Sequence, residues 1–399
     1  MGTMLGYLES QPKVLGRMIR GRGELTHAFG ELYGKVGPDR VYLVGSGTSL
    51  NAAYAAAPFM EDVLGVDVFA AAASALPVVR GKRPLVVYIS QGGSSTNTLA
   101  AMEAWAGYPG IVMTADDDCE MARRCGDTTP LHDKSGSAGG ERRTGNDGHN
   151  NEAGGDGECS DGCGSESAVQ RGVRHGNLRH MLIGCGEETA NAKTVGYTST
   201  VMCLYLCALA AAGGRGDVVG RLELAVGQMT DNIGSCKAWY ERNRDDFAKI
   251  DKYVLVGCRA SAWAGREGAL KVLETIKAPA LAYEFEEYLH GPMYHTDATM
   301  GGLFFICGSQ DNRARMLEMA RCHMLLSPYA YPVMPDPPGE FPRALGIKTT
   351  GEKYTEAFEF VLAPQLLGAM VPGQLGIPEG SVVFDAYTAR CPIKFNHGK

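Results

Sequence analysis

The sequence repeats one short pattern, in which an apolar run ends in a cluster of Gly, Ser and Thr and is followed by helix-forming residues. Residues 41–44 (VYLV) run into GSGTS, and residues 85–89 (LVVYI) run into SQGGSST. The apolar runs predict buried strands, the small residues predict turns, and residues 51–63 and 97–106 predict helices. Residues 111–113 predict a further strand. Strands that alternate with helices in this way favour a parallel sheet.

The same pattern returns in the second half of the chain. Strands are predicted at residues 253–258, 280–283 and 303–307, and a helix is predicted over residues 262–276. The expected fold class is therefore α/β, with two tandem doubly wound parallel-sheet domains.

The division of the chain follows from these patterns. We expect an N-terminal helical segment over residues 1–36, a first domain over 37–215, connecting helices over 216–248, and a second domain with a C-terminal tail over 249–399. Residues 133–176 contain almost no large apolar residue, so they cannot contribute to a core. They are predicted to be a disordered insertion within the first domain.

Charge and hydropathy argue against several classes of protein. The chain has 38 Lys and Arg against 45 Asp and Glu, a formal net charge of -7, which argues against a broad nucleic-acid surface. No apolar run approaches the ~18–20 residues that span a bilayer, and residues 1–11 lack the pattern of a secretion signal. We therefore expect a cytoplasmic protein without membrane or nucleic-acid partners.

The 12 cysteines are expected to be reduced, because they are scattered through apolar stretches where a thiol behaves as a small hydrophobic group. Cys159 and Cys163, with His149 and His175 nearby, are compatible with a metal site. This spacing lacks a second pair of ligands, so no metal is predicted.

Two turns of the first half, residues 46–51 and 90–98, place hydroxyl side chains and free backbone N–H groups at the start of helices. A phosphate favours this environment, because backbone donors and the positive end of the helix dipole stabilise an anion. The alternative is that Ser49 and Ser95 only cap their helices. Two such turns in one sheet favour phosphate binding. Neither matches a dinucleotide or nucleoside-triphosphate motif, so a small phosphate ester is the expected ligand.

A candidate acid–base set lies in the second half. Glu267, Lys271 and Glu274 follow one another at spacings of four and three residues, which places them on one side of a helix. A solvated ion-pair face is the alternative interpretation. His290 stands directly before a Gly-Pro pair and is therefore expected in a loop. A histidine, a carboxylate and a lysine together are suited to proton transfer on a sugar.

These segments together resemble the SIS family of phosphosugar isomerase domains. The arrangement is similar to the isomerase half of glucosamine-6-phosphate synthase and to fructosamine 6-phosphate deglycases. The matching motifs span nearly the whole chain: GSGTS at 45–49, SQGGSS at 90–95, EGALK at 267–271 with Glu274, and HGP at 290–292.

The resemblance implies roles for particular residues. The set that would hold the sugar phosphate is Thr48, Ser49, Ser90, Gln91 and Ser95, and the possible further substrate contacts are Gly47, Gly92, Asn191 and Lys193. Glu274 would move a proton between C1 and C2, Lys271 would lie beside it, and His290 would assist ring opening. In the family this histidine comes from a second subunit, so the resemblance also implies a homodimer with shared sites.

Three positions depart from the family pattern. Gly92 and Asn191 stand where family members usually carry serine, and backbone N–H groups are expected to compensate at Gly92. The synthase also has a lysine in its C-terminal tail. The tail of this chain does not match that segment, so Lys394 is left out of the predicted catalytic set.

The expected activity is deglycation of a ketosamine 6-phosphate, which would yield hexose 6-phosphate and a free amine. Residues 184–188, 192–197 and 288–292 resemble the deglycase branch. Two alternatives stay open. One is an isomerase or deaminase acting on glucosamine 6-phosphate and fructose 6-phosphate without a glutaminase domain, and the other is a sugar-phosphate sensor that does not react. No cofactor is expected, because acid and base groups suffice for the proton shift.

Overall fold

The computed structural model describes residues 2–127, 175–190, 192–307, 312–378 and 382–395. Its helices are α1 (Met4–Arg20), α2 (Arg22–Leu25), α3 (His27–Val36), α4 (Thr48–Leu64), α5 (Thr96–Ala104), α6 (Glu120–Arg123), α7 (Val195–Ala211), α8 (Gly216–Phe247), α9 (Ala260–Lys271), α10 (Phe285–Leu289), α11 (Arg313–Leu326), α12 (Glu356–Glu359), α13 (Leu362–Gln374) and α14 (Val382–Arg390). A π-helix, Val272–Ile276, continues α9, and a 3-10 helix covers Pro292–His295.

The strands fall into two groups, one in each half of the chain. They are β1 (Arg40–Gly45), β2 (Asp67–Ala72), β3 (Pro84–Ile89), β4 (Gly110–Thr114), β5 (Cys125–Asp127) and β6 (His175–Leu182), then β7 (Lys252–Gly257), β8 (Ala280–Glu284), β9 (Met300–Phe305), β10 (Ala330–Met334) and β11 (Leu345–Gly346). Most of the predicted insertion lies outside the described residues. The described chain resumes at His175 within β6, so His175 and Gly176 belong to the sheet.

Both sheets are parallel, and in both the first four strands along the chain lie in the order second, first, third, fourth. The first runs β2-β1-β3-β4-β6-β5 and the second runs β11-β10-β9-β7-β8. In each half the first strand lies between the second and third, so the strand order reverses beside it. Open α/β sheets bind ligands at this reversal, beyond the carboxyl ends of the strands. The structure confirms the predicted fold class of two tandem parallel-sheet units.

One apolar core joins the two halves. Every residue of β3 is buried, as expected for a parallel strand covered on both faces. The largest buried cluster contains side chains from both sheets and from α1, α4, α7, α8 and α13. Helices α4 and α9, each of which follows the first strand of its sheet, pack against each other. This contact brings the start of α4, in the first half, to α9, in the second half.

Strand β2 was not expected from the sequence. It reads DVFAAA, and alanine has a higher propensity for helix than for strand. The segment becomes a strand because it pairs in register with β1, from Arg40 opposite Asp67 to Gly45 opposite Ala72. No helix in the described part of the chain has the length and apolarity to cross a membrane.

A buried chain of hydrogen bonds connects α1, α7 and α13. Thr198 Oγ1 donates to Gln11 Oε1 over 2.7 Å, and Gln11 Nε2 donates to Gln365 Oε1 over 2.8 Å. Gln365 Nε2 then donates to the carbonyl of Thr194 over 3.1 Å. The three side chains are buried, so each amide depends on the next one for its hydrogen bonds.

We expect Gln11→Leu to lower the free energy of unfolding by about 2 kcal/mol, because it leaves the buried Gln365 oxygen without its amide donor. Urea unfolding would measure this loss. The double variant Gln11→Leu/Gln365→Leu should cost less than the sum of the two single variants, because one hydrogen bond joins the two side chains and each single variant breaks it. Strictly additive losses would show that the two residues are not coupled.

Candidate active site

The turns that follow β1 and β3 meet at the carboxyl edge of the first sheet. Asn97 joins them, because its Nδ2 donates to Ser46 Oγ over 2.7 Å and its Oδ1 accepts from Ser95 Oγ at 2.6 Å. Gly47 directly precedes α4 and has φ 54° and ψ -129°, a conformation that residues with a side chain disfavour. No atom lies within 4 Å of the position that a Cβ on Gly47 would take, so the backbone is open there.

Capping does not explain the two turn serines. Gly47 is the N-cap of α4 and Ser95 is the N-cap of α5, and neither helix has a side-chain cap hydrogen bond. Ser49 lies inside the first turn of α4, where its backbone N–H donates to the Ser46 carbonyl over 3.1 Å. Ser49 is therefore not a cap, and Ser95 occupies the N-cap position of α5 without a capping hydrogen bond from its side chain.

The glycine that the second turn requires is Gly93. Its φ is 58°, and a Cβ there would lie 2.1 Å from Cys119 Sγ. At Gly92 the nearest atom to an added Cβ would be Ser94 Oγ at 3.9 Å, so this position has room for a larger side chain. Ser90 is buried at the start of the turn, and its N–H donates to the Met113 carbonyl over 3.1 Å.

A charged cluster lies where α4 meets α9. The Lys271 ammonium is 3.2 Å from Glu267 Oε1 and 2.6 Å from Glu274 Oε2. From α4, Thr48 Oγ1 donates to Glu267 Oε1 over 3.0 Å, and Asn51 Nδ2 donates to Glu267 Oε2 over 2.8 Å. Lys271 Nζ also donates to Thr48 Oγ1 over 3.3 Å, so the Thr48 hydroxyl serves this cluster. The structure thus brings together Glu267, Lys271, Glu274 and the first turn.

The three charged side chains differ in how much of their surface is buried. Glu267 and Lys271 have no exposed side-chain surface, whereas Glu274 is 38% exposed. Burial raises the pKa of Glu267, and the Lys271 charge and the Asn51 hydrogen bond oppose this rise. Burial also acts to lower the pKa of Lys271, but Glu267 and Glu274 outweigh it, so that pKa is raised. Lys271 is therefore a fixed cation, which excludes the solvated ion-pair face as an explanation.

A π-helix carries Glu274. Helix α9 ends at Lys271 and continues as the π-helix over Val272–Ile276, where the Lys277 N–H donates to the Val272 carbonyl over 3.1 Å. Lys277 ends this element in the left-handed conformation, with φ 63°. Single π-helical turns are rare in proteins, but those that occur are frequently found at functional sites. The sequence predicted one regular helix here, and the π-turn is the part that it did not predict.

The loop that leads into α7 forms a further wall of the site. Glu188 is buried, and its carboxylate accepts from the N–H groups of Thr194 at 2.7 Å and Gly196 at 2.9 Å. Gln91 Nε2 lies 3.4 Å from the same carboxylate, so the Gln91 side chain reaches from the second turn into this loop. Lys193 Nζ donates to the carbonyls of Glu188 and Ala190. Burial lowers the pKa of Lys193.

The C-terminal segment lies across the second turn. Lys394 pairs with Ser95 in an antiparallel bridge, the Thr96 N–H donates to the Ile393 carbonyl over 3.2 Å, and the Phe395 N–H donates to the Ser94 carbonyl over 2.7 Å. The Arg124 guanidinium lies 5.7 Å from the Phe395 ring centroid.

Lys394 therefore lies beside the second turn, although the sequence analysis left it out of the predicted set. Burial lowers the pKa of Lys193, and the charge of Lys394 acts in the same direction. Nothing in the sequence around Lys394 shows a periodic pattern, because its place depends on backbone pairing with a turn about 300 residues away along the chain.

His290 lies apart from the charged cluster in the described contacts of one chain. It ends α10 as an exposed residue, and its N–H donates to the Glu287 carbonyl over 3.2 Å. Gly291 follows with φ 143°, and the 3-10 helix begins at Pro292. The predicted loop position is confirmed, and no described contact joins His290 to Glu274.

The second half has a matching turn that its own side chains close. Arg259 precedes α9 with φ 53° and ψ -127°, nearly the angles of Gly47. Ser261 Oγ accepts from the Cys258 N–H at 3.0 Å and donates to the Cys258 carbonyl over 2.7 Å. The Arg259 guanidinium lies 3.1 Å from the buried carboxylate of Glu356.

Some predicted residues cannot be placed. Asn191, His149, Cys159 and Cys163 lie outside the described residues. Within the described part of the chain, no group of three or more His, Cys, Asp and Glu side chains is arranged to hold a metal ion.

The two tandem parallel sheets have the fold of phosphosugar isomerases. The chain is similar to a candidate phosphosugar isomerase of Clostridium difficile 630, with a TM-score of 0.75 and 19% identity over 99% of this chain and 100% of that chain. It is similar to the C-terminal domain of glucosamine-fructose-6-phosphate aminotransferase from Francisella tularensis, with a TM-score of 0.69 and 17% identity over 93% of this chain and 96% of that chain.

A further similar structure is tagatose-6-phosphate ketose/aldose isomerase from Escherichia coli. The TM-score is 0.68, with 15% identity over 96% of this chain and 97% of that chain. No family model and no curated protein matches the sequence. These structural similarities confirm the fold that the sequence motifs implied.

We expect Gly196→Ala to weaken phosphosugar binding by at least about tenfold, because the new Cβ would lie 2.0 Å from the Gln91 amide and would push that side chain out of its place. Calorimetric titration with glucose 6-phosphate would measure the affinity. Gly227→Ala on α8 is the matched control, since an added Cβ there meets nothing within 4 Å. Equal affinity in both variants would show that Gln91 does not depend on Gly196.

Proposed function

We propose that this protein is an enzyme that moves a proton between C1 and C2 of a ketosamine 6-phosphate and so releases hexose 6-phosphate and a free amine. The observation that carries the proposal is the direct contact between the first turn and the charged cluster. Thr48 begins α4 and hydrogen-bonds both Glu267 and Lys271. A ligand held by its phosphate at the two turns would therefore have Glu274 within reach of its other end.

Glu274 is the proposed base. It is the most exposed of the three charged side chains, and Lys271 contacts its Oε2, so Oε1 is the oxygen proposed to face a ligand. Removal of a proton from C1, with protonation of the C2 oxygen, gives an enaminol. Return of a proton to C2, with loss of the proton on the amine nitrogen, gives an imine between C1 and that nitrogen. Water then adds across the imine, and the amine leaves with one proton. The C2 carbonyl acidifies the C1 proton.

The phosphate is proposed to lie between the two turns. Backbone N–H groups near Gly47 and Gly92, with the hydroxyls of Ser49, Ser90 and Ser95, supply donors at the starts of two helices. The Thr48 hydroxyl is engaged by Glu267, so Thr48 contributes through its backbone. Gln91, Lys193 and Lys394 border the same space and add donors and positive charge.

The second candidate function is an isomerase or deaminase acting on a smaller phosphosugar. It is favoured by the names of similar structures, which include tagatose-6-phosphate ketose/aldose isomerase and glucosamine-6-phosphate deaminase from Thermotoga maritima. The proton shift is the same in both reactions. The difference lies in the group attached at C1 or C2, and a substrate panel separates the two functions.

A homodimer with shared sites is part of the proposal. His290 is exposed, and the following loop carries Met293 and Tyr294 at 38% and 86% exposure. An exposed tyrosine beside an exposed histidine is a suitable surface for a second copy of the chain. In this arrangement His290 of one subunit assists ring opening at the Glu274 of its partner.

The first test is a panel of three probes: fructoselysine 6-phosphate, glucosamine 6-phosphate and fructose 6-phosphate. We expect hexose 6-phosphate from the first probe, measured with a coupled dehydrogenase. Glu274→Gln should lower turnover at least about a thousandfold, because it removes the base, and should leave glucose 6-phosphate binding unchanged. Glu318→Gln, an exposed change on α11, is the control. Undiminished turnover in Glu274→Gln would refute the assignment, and product only from glucosamine 6-phosphate would favour the deaminase.

The second test concerns the shared site. Glu274→Gln and His290→Asn chains are each expected to be inactive alone, because every site then lacks one group. Random mixing of the two chains should restore about a quarter of the wild-type activity, since half of the dimers then contain one intact site of two. Mixed dimers isolated through two affinity tags after co-expression should have about half of the wild-type activity, since each contains one intact site of two. If the mixed dimers stay inactive, both groups act within one chain.

A further inference from the structure

Glu267 is a buried carboxylate whose charge depends on its neighbours. Its Oε1 lies 3.2 Å from the Lys271 ammonium and 3.0 Å from the Thr48 hydroxyl. Its Oε2 accepts from the side-chain amide of Asn51 at 2.8 Å. Asn51 is itself buried, at 5% exposure, on the face of α4 that packs against α9. The charged form of Glu267 is thus held from two elements.

Titratable groups face Glu267 from two further directions. Lys271 and Glu274 come from α9 and its π-helical continuation, and the buried phenol of Tyr197 comes from α7. Burial, and then the charge of Glu267, raises the pKa of Tyr197 well above its ordinary value, so this phenol stays neutral. Around neutral pH the groups that decide the ionisation of Glu267 are therefore the Lys271 cation, the Glu274 anion and the Asn51 amide.

We propose that Asn51 is a positioning residue for the proton transfer, because its amide keeps Glu267 ionised and thereby keeps Lys271 shared between two carboxylates. If Glu267 became neutral, Lys271 would pair with Glu274 alone. The negative charge of Glu267, which repels that of Glu274, would also be lost. Both changes stabilise the ionised form of Glu274 and make it a weaker base. Asn51 acts only through Glu267 and Lys271 and does not touch the substrate.

The inference makes one claim about stability and one about turnover, and only the second rests on the proposed function. The pKa of Glu267 is raised in the folded protein. Such a group contributes stability that is present below its unfolded pKa of about 4.3 and is lost as the pH rises through its folded pKa. Loss of the Asn51 amide raises the folded pKa of Glu267 further, so the loss of stability on raising the pH becomes larger.

The stability test compares Asn51→Leu with Asn232→Leu. Asn232 is an equally buried amide on α8, which hydrogen-bonds the backbone of Lys348 at 2.8 Å and 2.7 Å and lies in no charged cluster described here. Urea unfolding between pH 5 and pH 8 would follow both variants. For Asn51→Leu the ratio of unfolded to folded protein, relative to wild type, should rise about tenfold over this range. For Asn232→Leu it should stay constant.

The turnover test uses the three probes of the panel. For Asn51→Leu we expect kcat to fall about tenfold with KM changed less than twofold, and the acidic limb of the pH profile of kcat to move to lower pH. Asn232→Leu should keep the wild-type profile. A purely structural role for Asn51 would lower the amount of folded protein without moving this limb.

Each result decides between the claims. Equal pH dependence of unfolding in the Asn51 and Asn232 variants would overturn the inference, whatever the substrate is. If Asn51→Leu does not fold, Asn51→Ala with Asn232→Ala gives the same comparison without added bulk. The two claims can also fail separately. If the wild-type protein turns over none of the three probes, the proposed function is refuted. If Asn51→Leu nevertheless shows the expected pH-dependent instability, the link between Asn51 and Glu267 is supported.

Discussion

The structure depends on one buried cation. The Lys271 ammonium has no exposed surface, and an unpaired charge at that depth would be strongly destabilising. It is stable because Glu267 and Glu274 lie on the same helical face at 3.2 Å and 2.6 Å. Glu267 is buried as well and needs donors from α4. The ion pair and its donors therefore hold α4 and α9 close together. This contact also determines where the turns meet the charged cluster.

The two halves share the order of their first four strands, and the proposed function divides its chemistry between them. Gly47 and Arg259 take nearly the same unusual backbone angles before equivalent helices. The two turns therefore have the same backbone geometry although their side chains differ. In the second half Ser261 hydrogen-bonds its own turn, and Arg259 pairs with the buried Glu356. That half instead supplies charged side chains from the body of its helix. In the proposed function, the first half binds the phosphate and the second half supplies the acid–base groups.

Local signals account for the parts of this arrangement that the sequence predicted. Apolar strands that end in small residues located both sheets, and the spacing of Glu267, Lys271 and Glu274 located the charged helix face. The missed parts depend on partners distant in sequence. Strand β2 needs β1, Thr48 joins the cluster only because α4 packs on α9, and Lys394 reaches Ser95 through backbone pairing. No local pattern of residue types contains this information.

Burial differs within the cluster, from none of the surface exposed at Glu267 and Lys271 to 38% exposed at Glu274, and the proposed function gives this difference a purpose. A carboxylate exposed to water is a weak base because water stabilises its charge, and one buried alone would remain protonated. Glu274 is 38% exposed, and its Oε2 lies 2.6 Å from the buried Lys271 ammonium. Glu267 shares this ammonium, with its Oε1 at 3.2 Å. The buried pair thus sets the electrostatic environment, and the partly exposed carboxylate is the group that we propose as the base.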